Sequence, residues 1–288
     1  MLKLPKAPSS IQKGTPLKNV LGQETVACLA HNIKTVYSVF DSKGFTQTVV
    51  PQLEGLEFKA RGYCIADAMK AFLPDNYTQA INILLASLTP VNDGTEDLGL
   101  AVMFYQPHGS FIERYGLDKQ YNGGKNPFNI SMQAQYEITQ RFTAEFSIRP
   151  FLIQQQKKTL AVLQKWITDP NPHVRRLCSE GARPRLPWAQ RIPAFVKDPS
   201  PILPILEALK NDPELYVRRS VANSLGDIAK DHPQLVFDIC ESWLEGSAKQ
   251  SANREGATKE VKWLIRHALR HPAKKGVQRA LDIRVAAK

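Results

Sequence analysis

The sequence predicts an all-helical repeat fold, and three observations predict it. From about Leu17 onward, apolar residues recur at the i, i+3, i+4 spacing of one helix face. No strand–turn–strand alternation and no glycine-rich βα turn interrupts that pattern. The second half repeats itself: Asp169-Pro-Asn-Pro-His-Val-Arg-Arg-Leu reads against Asp212-Pro-Glu-Leu-Tyr-Val-Arg-Arg-Ser at an offset of 43 residues, and a weaker copy sets Val261-Lys-Trp against Val217-Arg-Arg at 44. Helix pairs repeating at about 40–47 residues form the HEAT/armadillo pattern. Such a pair cannot bury its apolar face alone, so successive pairs stack. The expected fold is a HEAT-like helical solenoid with a concave basic surface.

Residues 1–16, broken by Pro5, Pro8, Gly14 and Pro16, read as a flexible leader. Residues 17–285 read as one domain, with an N-terminal half over 17–130 and a basic repeat half over 131–285. Leu29, Ile33, Val36, Tyr37 and Phe40 form one helical stripe, ended by Asp41-Ser42-Lys43-Gly44. Leu53 to Phe72 forms a second, stopped at Leu73-Pro74-Asp75, and Tyr77 to Leu88 a third. The stretch 90–128 is irregular: it holds VNDGTEDLG, a break at Pro107-His108-Gly109 and YNGGKNP, and helix resumes near Ser131. In each repeat copy the aspartate is expected to cap a helix, proline to fit its first turn, and Val174 or Val217 to enter the apolar face.

Composition bounds the function. The 288 residues are 43% hydrophobic and 23% charged, enough for a substantial core and unlike a disordered chain. Net charge is +11, and it is uneven: residues 1–144 hold 13 basic and 12 acidic side chains, residues 145–288 hold 25 and 15. A basic half suits a polyanion, with nucleic acid foremost, the other reading being a solvated surface without a partner. Cys28, Cys64, Cys178 and Cys240 are scattered with no C-x-x-C pair, so neither a zinc knuckle nor a redox dithiol is indicated. The start lacks the apolar core of a signal peptide and no apolar run reaches membrane-span length, so a cytoplasmic protein without membrane association is expected.

Stacking repeats in parallel should align Arg175, Arg176, Arg218, Arg219 and Lys262 in rows that match rows of phosphates. The other reading has these arginines bonding to neighbouring repeats or helix ends. Three acids stand among them: Glu145 between Arg141 and Arg149, Glu180 between Arg176 and Arg183, and Asp227 between Asn223 and Lys230. Helical spacing would put each acid on a face with its neighbours. Glu180, Asn223 and His267 share one repeat position. Ordinary surface ion pairs are the plain account, but a carboxylate in a phosphate-binding surface repels DNA and so needs a reason. Removal of a cationic alkylated base supplies one, because negative charge stabilises the developing sugar cation and orients water. Trp188 follows Arg183-Pro-Arg185-Leu-Pro on an extended loop; it either stacks on a nucleotide or packs against the next repeat. Lys274, Lys275 and Arg279 read as phosphate contacts or solvated charge, and His267 with His271 lacks a third metal ligand. No lysine stands out for a Schiff base, so a glycosylase without lyase activity is expected.

AEFSIRPFL, NPHVRRLCSEGARPRLPW and YVRRSVANSLGDIAKDHP together resemble the AlkC-type DNA alkylation repair glycosylases, relatives of the AlkD type. GLEFKARGYCIADAMKAFLP looks like the N-terminal half of the same family, so the resemblance spans roughly 17–280. It implies a HEAT-like fold and hydrolysis of the N-glycosidic bond of cationic bases, chiefly 3-methyladenine and 3-methylcytosine, in double-stranded DNA and with no metal or organic cofactor. By motif position Glu145, Glu180, Trp188 and Asp227 would line the active site. Many AlkC-type proteins add an immunoglobulin-like domain after the solenoid; with the sequence ending at Lys288, the shorter branch is expected. Gly226 stands where the family would have Asn. A monomer is expected, and the rival functions are a non-catalytic DNA-binding solenoid and a protein scaffold.

Overall fold

The computed structural model describes residues 1–91, 99–250 and 258–288, excluding the side chains of 247–250. Most of the predicted VNDGTEDLG loop therefore lies outside the described residues. Every regular element among the described residues is a helix, and none is long and apolar enough to cross a membrane. The chain packs as two compact units, Met1–Ile148 and Arg149–Lys288. The division falls later than the expected 130, because the helix Phe128–Thr139 packs with its predecessors.

The first unit holds α1 (Gln23–Val36), α2 (Ser42–Gln52), α3 (Phe58–Phe72), α4 (Tyr77–Ala86), α5 (Gln106–Tyr115) and α6 (Phe128–Thr139). Two expected breaks turn out to be helix starts. The Asp41 side chain accepts a hydrogen bond from the Gly44 amide at 2.9 Å and so opens α2. Pro107 sits in the first turn of α5, where its missing N–H costs no bond. Gly62 lets α3 approach α5, since a Cβ there would lie 2.9 Å from Ser110 Oγ. Phe40, Phe45 and Phe72 form one aromatic cluster, and Tyr77, Phe111 and Tyr121 another. The leader lacks regular structure, as its prolines dictate, and its Lys3 backbone is bonded to α1: the buried Asn32 side chain accepts from the Lys3 amide at 2.9 Å and donates to the Lys3 carbonyl at 2.8 Å.

The second unit holds α7 (Arg149–Gln154), α8 (Gln156–Trp166), α9 (Pro172–Glu180), α10 (Pro193–Lys197), α11 (Leu203–Leu209), α12 (Leu215–Ile228), α13 (Pro233–Gln250), α14 (Lys259–Ala268), α15 (Arg270–Lys274) and α16 (Gln278–Ala286). The repeat is visible as three helix pairs, α8–α9, α11–α12 and α13–α14, whose second helices α9, α12 and α14 lie side by side. Equivalent positions Val174, Val217 and Val261 are all buried. The HEAT-like helical repeat expected from the sequence is the fold observed. One detail differs: the repeat aspartates do not cap the helices. Asp169 accepts from the Asn171 amide at 2.8 Å and Asp212 from the Glu214 amide at 2.9 Å, so both shape the turn before the helix. Asn171 caps α9 through the His173 amide.

Gly226 sits at the contact of α12 with α14, where a Cβ would meet the Ala268 carbonyl at an ordinary 3.4 Å. Gly226→Ala should therefore gain helix propensity without overpacking and raise stability by about 0.5–1 kcal/mol, read as a higher thermal midpoint. A lower midpoint would mean that the two helices cannot spare that space. A second outcome concerns pH. His108 is buried against Phe104 and Tyr105, neither ring nitrogen has a hydrogen-bond partner among the described residues, and burial followed by the Arg141 charge lowers its pKa from 6.5 to about 3. The unfolded chain takes up a proton below pH 6.5 that the folded one refuses, so this residue weakens the fold as pH falls from 6.5 towards 3. His108→Phe should lose that part of the acid sensitivity between pH 7 and pH 5 in denaturant unfolding, and an unchanged pH slope would refute it.

Candidate nucleic-acid interface and its buried carboxylates

Glu180 is the last residue of α9 and Asp227 the penultimate residue of α12. Both carboxylates thus stand at the negative end of a helix dipole, and both are buried, at 5% and 3% exposure. Neither position favours an anion, so cations must hold them there. Gly181 ends α9, and the chain turns back to place Arg183 between the two helices. Its Nη1 donates to Glu180 Oε1 at 2.7 Å and its Nε to Asp227 Oδ2 at 2.8 Å. Arg176 approaches Glu180 at 3.5 Å, and Lys230 Nζ donates to Asp227 Oδ1 at 2.9 Å. Burial pushes the Glu180 carboxyl up, but Arg176, Arg183 and the Ser220 hydroxyl outweigh it and hold the group below the usual carboxylate range. Two carboxylates share three cations, so the cluster carries net positive charge and does not repel a phosphate.

Around this cluster the third repeat supplies more polar groups. Asn223 Oδ1 accepts from Arg270 Nη2 at 3.0 Å and faces His267 Nε2 at 3.2 Å. His267 stacks on Trp263, with ring centroids 5.0 Å apart. Burial, then Arg270, Arg219 and His271, lower the His267 pKa to about 4, which leaves the ring neutral near pH 7. Arg219, Lys230, Lys274 and Lys275 are exposed, and Lys262 is half-buried on α14. The charges of Lys230, Arg270, Lys274 and Lys275 all act on His271. Arg270 went unnoticed in the sequence, although it lies one turn beyond His267, a spacing that could have flagged it; Trp263 sits in an apolar stripe and reads as core.

Trp188 lies on the loop that begins at Gly181 and carries Arg183. Leu186 and Ile192 anchor this loop in the core, and the Ile192 amide bonds the Pro184 carbonyl at 3.2 Å. The tryptophan at its tip is 76% exposed and has φ +62°, the one non-glycine residue of the described chain with positive φ. A bulky side chain in that conformation costs about 1–3 kcal/mol, and strain of this kind collects at functional sites.

Other expected DNA-contacting residues are engaged within the fold. Arg149 is 1% exposed, so it lies inside the second unit and offers nothing to a phosphate; it donates to the Gln190 and Gly181 carbonyls. Arg175 makes a bidentate pair with Asp212, at 2.6 and 3.0 Å, and bonds the Asp169 and Pro170 carbonyls. Arg218 repeats the pattern on the Asp212 and Pro213 carbonyls. For these two the alternative reading holds, with bonds to helix ends and, for Arg175, to the next repeat. Arg185 pairs with Asp231 through two bonds of 2.7 Å. Glu145 lies in the first unit, in the turn after α6 and not on a helix. Its carboxylate accepts from Thr143 Oγ1 at 3.0 Å, while Arg141 turns to Glu137 and the Thr89 carbonyl.

A family model described as DNA alkylation repair enzyme matches residues 142–271, a span that contains Glu145, Glu180, Trp188 and Asp227. YhaZ of Bacillus subtilis (strain 168) is 36% identical over 268 residues, covering 93% of this chain and 67% of its own length. The chain belongs to the DNA alkylation repair enzyme family. Among solved structures, a family member is similar over 93% of this chain and 67% of its own, with TM-score 0.77 and 36% identity: the Pseudomonas fluorescens alkylpurine DNA glycosylase AlkC bound to DNA containing an abasic site analog. The AlkC-type resemblance carried by the sequence motifs is borne out.

Arg183 is the counter-ion that the two buried carboxylates share. Arg183→Met would leave two buried carboxylates without their shared counter-ion and should cost about 3–5 kcal/mol in urea unfolding. A loss below about 1 kcal/mol would show the bridge to be dispensable.

Proposed function

We propose that this chain is a monofunctional DNA glycosylase that hydrolyses the N-glycosidic bond of cationic alkylated bases, 3-methyladenine and 3-methylcytosine, in double-stranded DNA. The observation that carries the proposal is the pair Glu180 and Asp227, bridged by Arg183 inside a net positive cluster. The similarity to an alkylpurine DNA glycosylase bound to DNA containing an abasic site analog supports it. The second unit carries the entire net charge of +11, with 25 basic and 14 acidic residues. A polyanion is drawn to that unit.

The chemistry follows from the charges. A base alkylated on a ring nitrogen is already cationic and leaves with the electron pair of the glycosidic bond as a neutral molecule, so no acid has to protonate it. What remains is a sugar with oxocarbenium character, which fixed carboxylates stabilise from a low-dielectric position. Water then adds at C1′ and gives its proton to solvent or a carboxylate. Arg176, Arg219, Lys230, Lys274 and Lys275 are the phosphate-facing candidates, with Arg183, Asn223, Lys262 and His267 behind them. Trp188 supports the exposed nucleotide by stacking. Glu145 joins the catalytic set on its motif position. The protein acts as a monomer and without a cofactor.

Incubation of a 3-methyladenine or 3-methylcytosine duplex with the protein should release free base. Glu180→Gln and Asp227→Asn should each slow release by roughly a hundredfold or more while abasic-duplex binding changes little. Glu145→Gln forms a separate arm. Unaltered release in the Glu180 and Asp227 variants would remove their assignment, and binding without any release would make the chain a non-catalytic DNA-binding solenoid.

A further inference from the structure

Arg149 ranks among the largest fully buried side chains of the protein and has one of the more unusual settings. It opens α7, where a surface cation would be unremarkable, yet its guanidinium runs inward and grips two carbonyls nine positions apart in sequence. Nη1 donates to Gly181 at 3.0 Å, and Nε donates to Gln190. Gly181 is the residue immediately after Glu180 and closes α9. Gln190 lies two residues beyond Trp188. These two carbonyls are the two ends of the loop that carries Arg183 and Trp188.

The first half of the loop is tied down by its own side chains, Arg183 to Glu180 and Asp227 and Arg185 to Asp231, whereas Arg149 reaches the carbonyls at both ends. The loop's internal backbone bonds are single amide contacts, Arg183 to the Glu180 carbonyl, Ala189 to Leu186 and Ile192 to Pro184, each at 3.2–3.3 Å. Pro184 and Pro187 contribute no amide donors at all. Trp188 at the tip keeps a left-handed backbone, which persists only where the surroundings over-determine it. A charged, planar fork with fixed donor directions is suited to setting the distance between two backbone segments.

We infer that Arg149 is a positioning residue: it staples the 181–190 loop at both ends, holding Trp188 in its strained, exposed pose. The inference rests on the reading of Trp188 as a DNA contact only for its functional consequence; the staple itself is a statement about the loop. Arg149 thereby replaces the role expected from the sequence, that of a phosphate contact, with one exerted from inside the fold.

Hydrogen exchange on the free protein tests the staple, and a double-mutant cycle tests its consequence. In Arg149→Met, amides within 182–192 should exchange about tenfold faster or more while those of α12 and α14 keep their protection. Arg149→Lys, which retains the charge but can reach one carbonyl at best, should fall between the two and serves as the readout if the methionine variant does not fold. Unchanged loop exchange in the folded variant overturns the inference. For function, Arg149→Met should weaken binding of an abasic-analog duplex about tenfold in the parent but less than about twofold in a Trp188→Ala background. An equal loss in both backgrounds would reduce Arg149 to general structural support and overturn its positioning role. If Trp188→Ala alone leaves both binding and base release intact, the assigned role of Trp188 in DNA contact fails, and the staple is then judged on loop exchange alone.

Discussion

The guanidinium of Arg183 is the contact on which the rest of the site depends. It lies between two carboxylates that burial and helix dipoles both disfavour, and it satisfies one through each edge of its fork. The same two helices are tied at their other ends by Arg175 and Asp212, again an arginine from the first copy and an aspartate from the second. α9 and α12 are thus clamped at both ends by buried ion pairs, with Val174, Leu177, Val217 and Val221 filling the space between. Apolar packing alone leaves helix pairs some freedom to slide, whereas a forked charge pair is directional and fixes register. The polar face above the clamp inherits that precision.

The fold was legible because its determinants are local and periodic. Stripes of apolar residues mark the helices, and the 43-residue spacing reveals the stacking. What misled was punctuation. Asp41 and Pro107 are strong signals of a helix boundary, but the same residue type that ends one helix begins the next, and only the hydrogen bond to Gly44 or the position within the first turn decides which. The repeat aspartates carried a similar ambiguity, since a carboxylate two residues from an amide makes a turn as readily as a cap.

Site residues divided along another line. The acids of the repeat half could be found because they recur beside arginines within one or two helical turns. Direction of the arginines could not: Arg175 and Arg176 are neighbours in sequence, yet one turns back to the helix entrance and the other reaches the Glu180 carboxylate. A helix advances its side chains by about 100° per residue, so adjacent arginines cannot serve one surface. Paired arginines read as a double row therefore divide: Arg175 and Arg218 bond the helix entrance, whereas Arg176 reaches Glu180 and Arg219 is exposed. Glu145 was misplaced for a related reason, as its helical neighbours were inferred from spacing in a segment that forms a turn.

Asp212 takes part in three kinds of contact at once: its carboxylate receives Arg175 from the preceding copy and the Glu214 amide, and its carbonyl receives Arg218. The entrance to the second copy is therefore completed by a side chain belonging to the first. Such sharing couples the two copies, so the second copy excised without the first would arrive with an unfinished threshold.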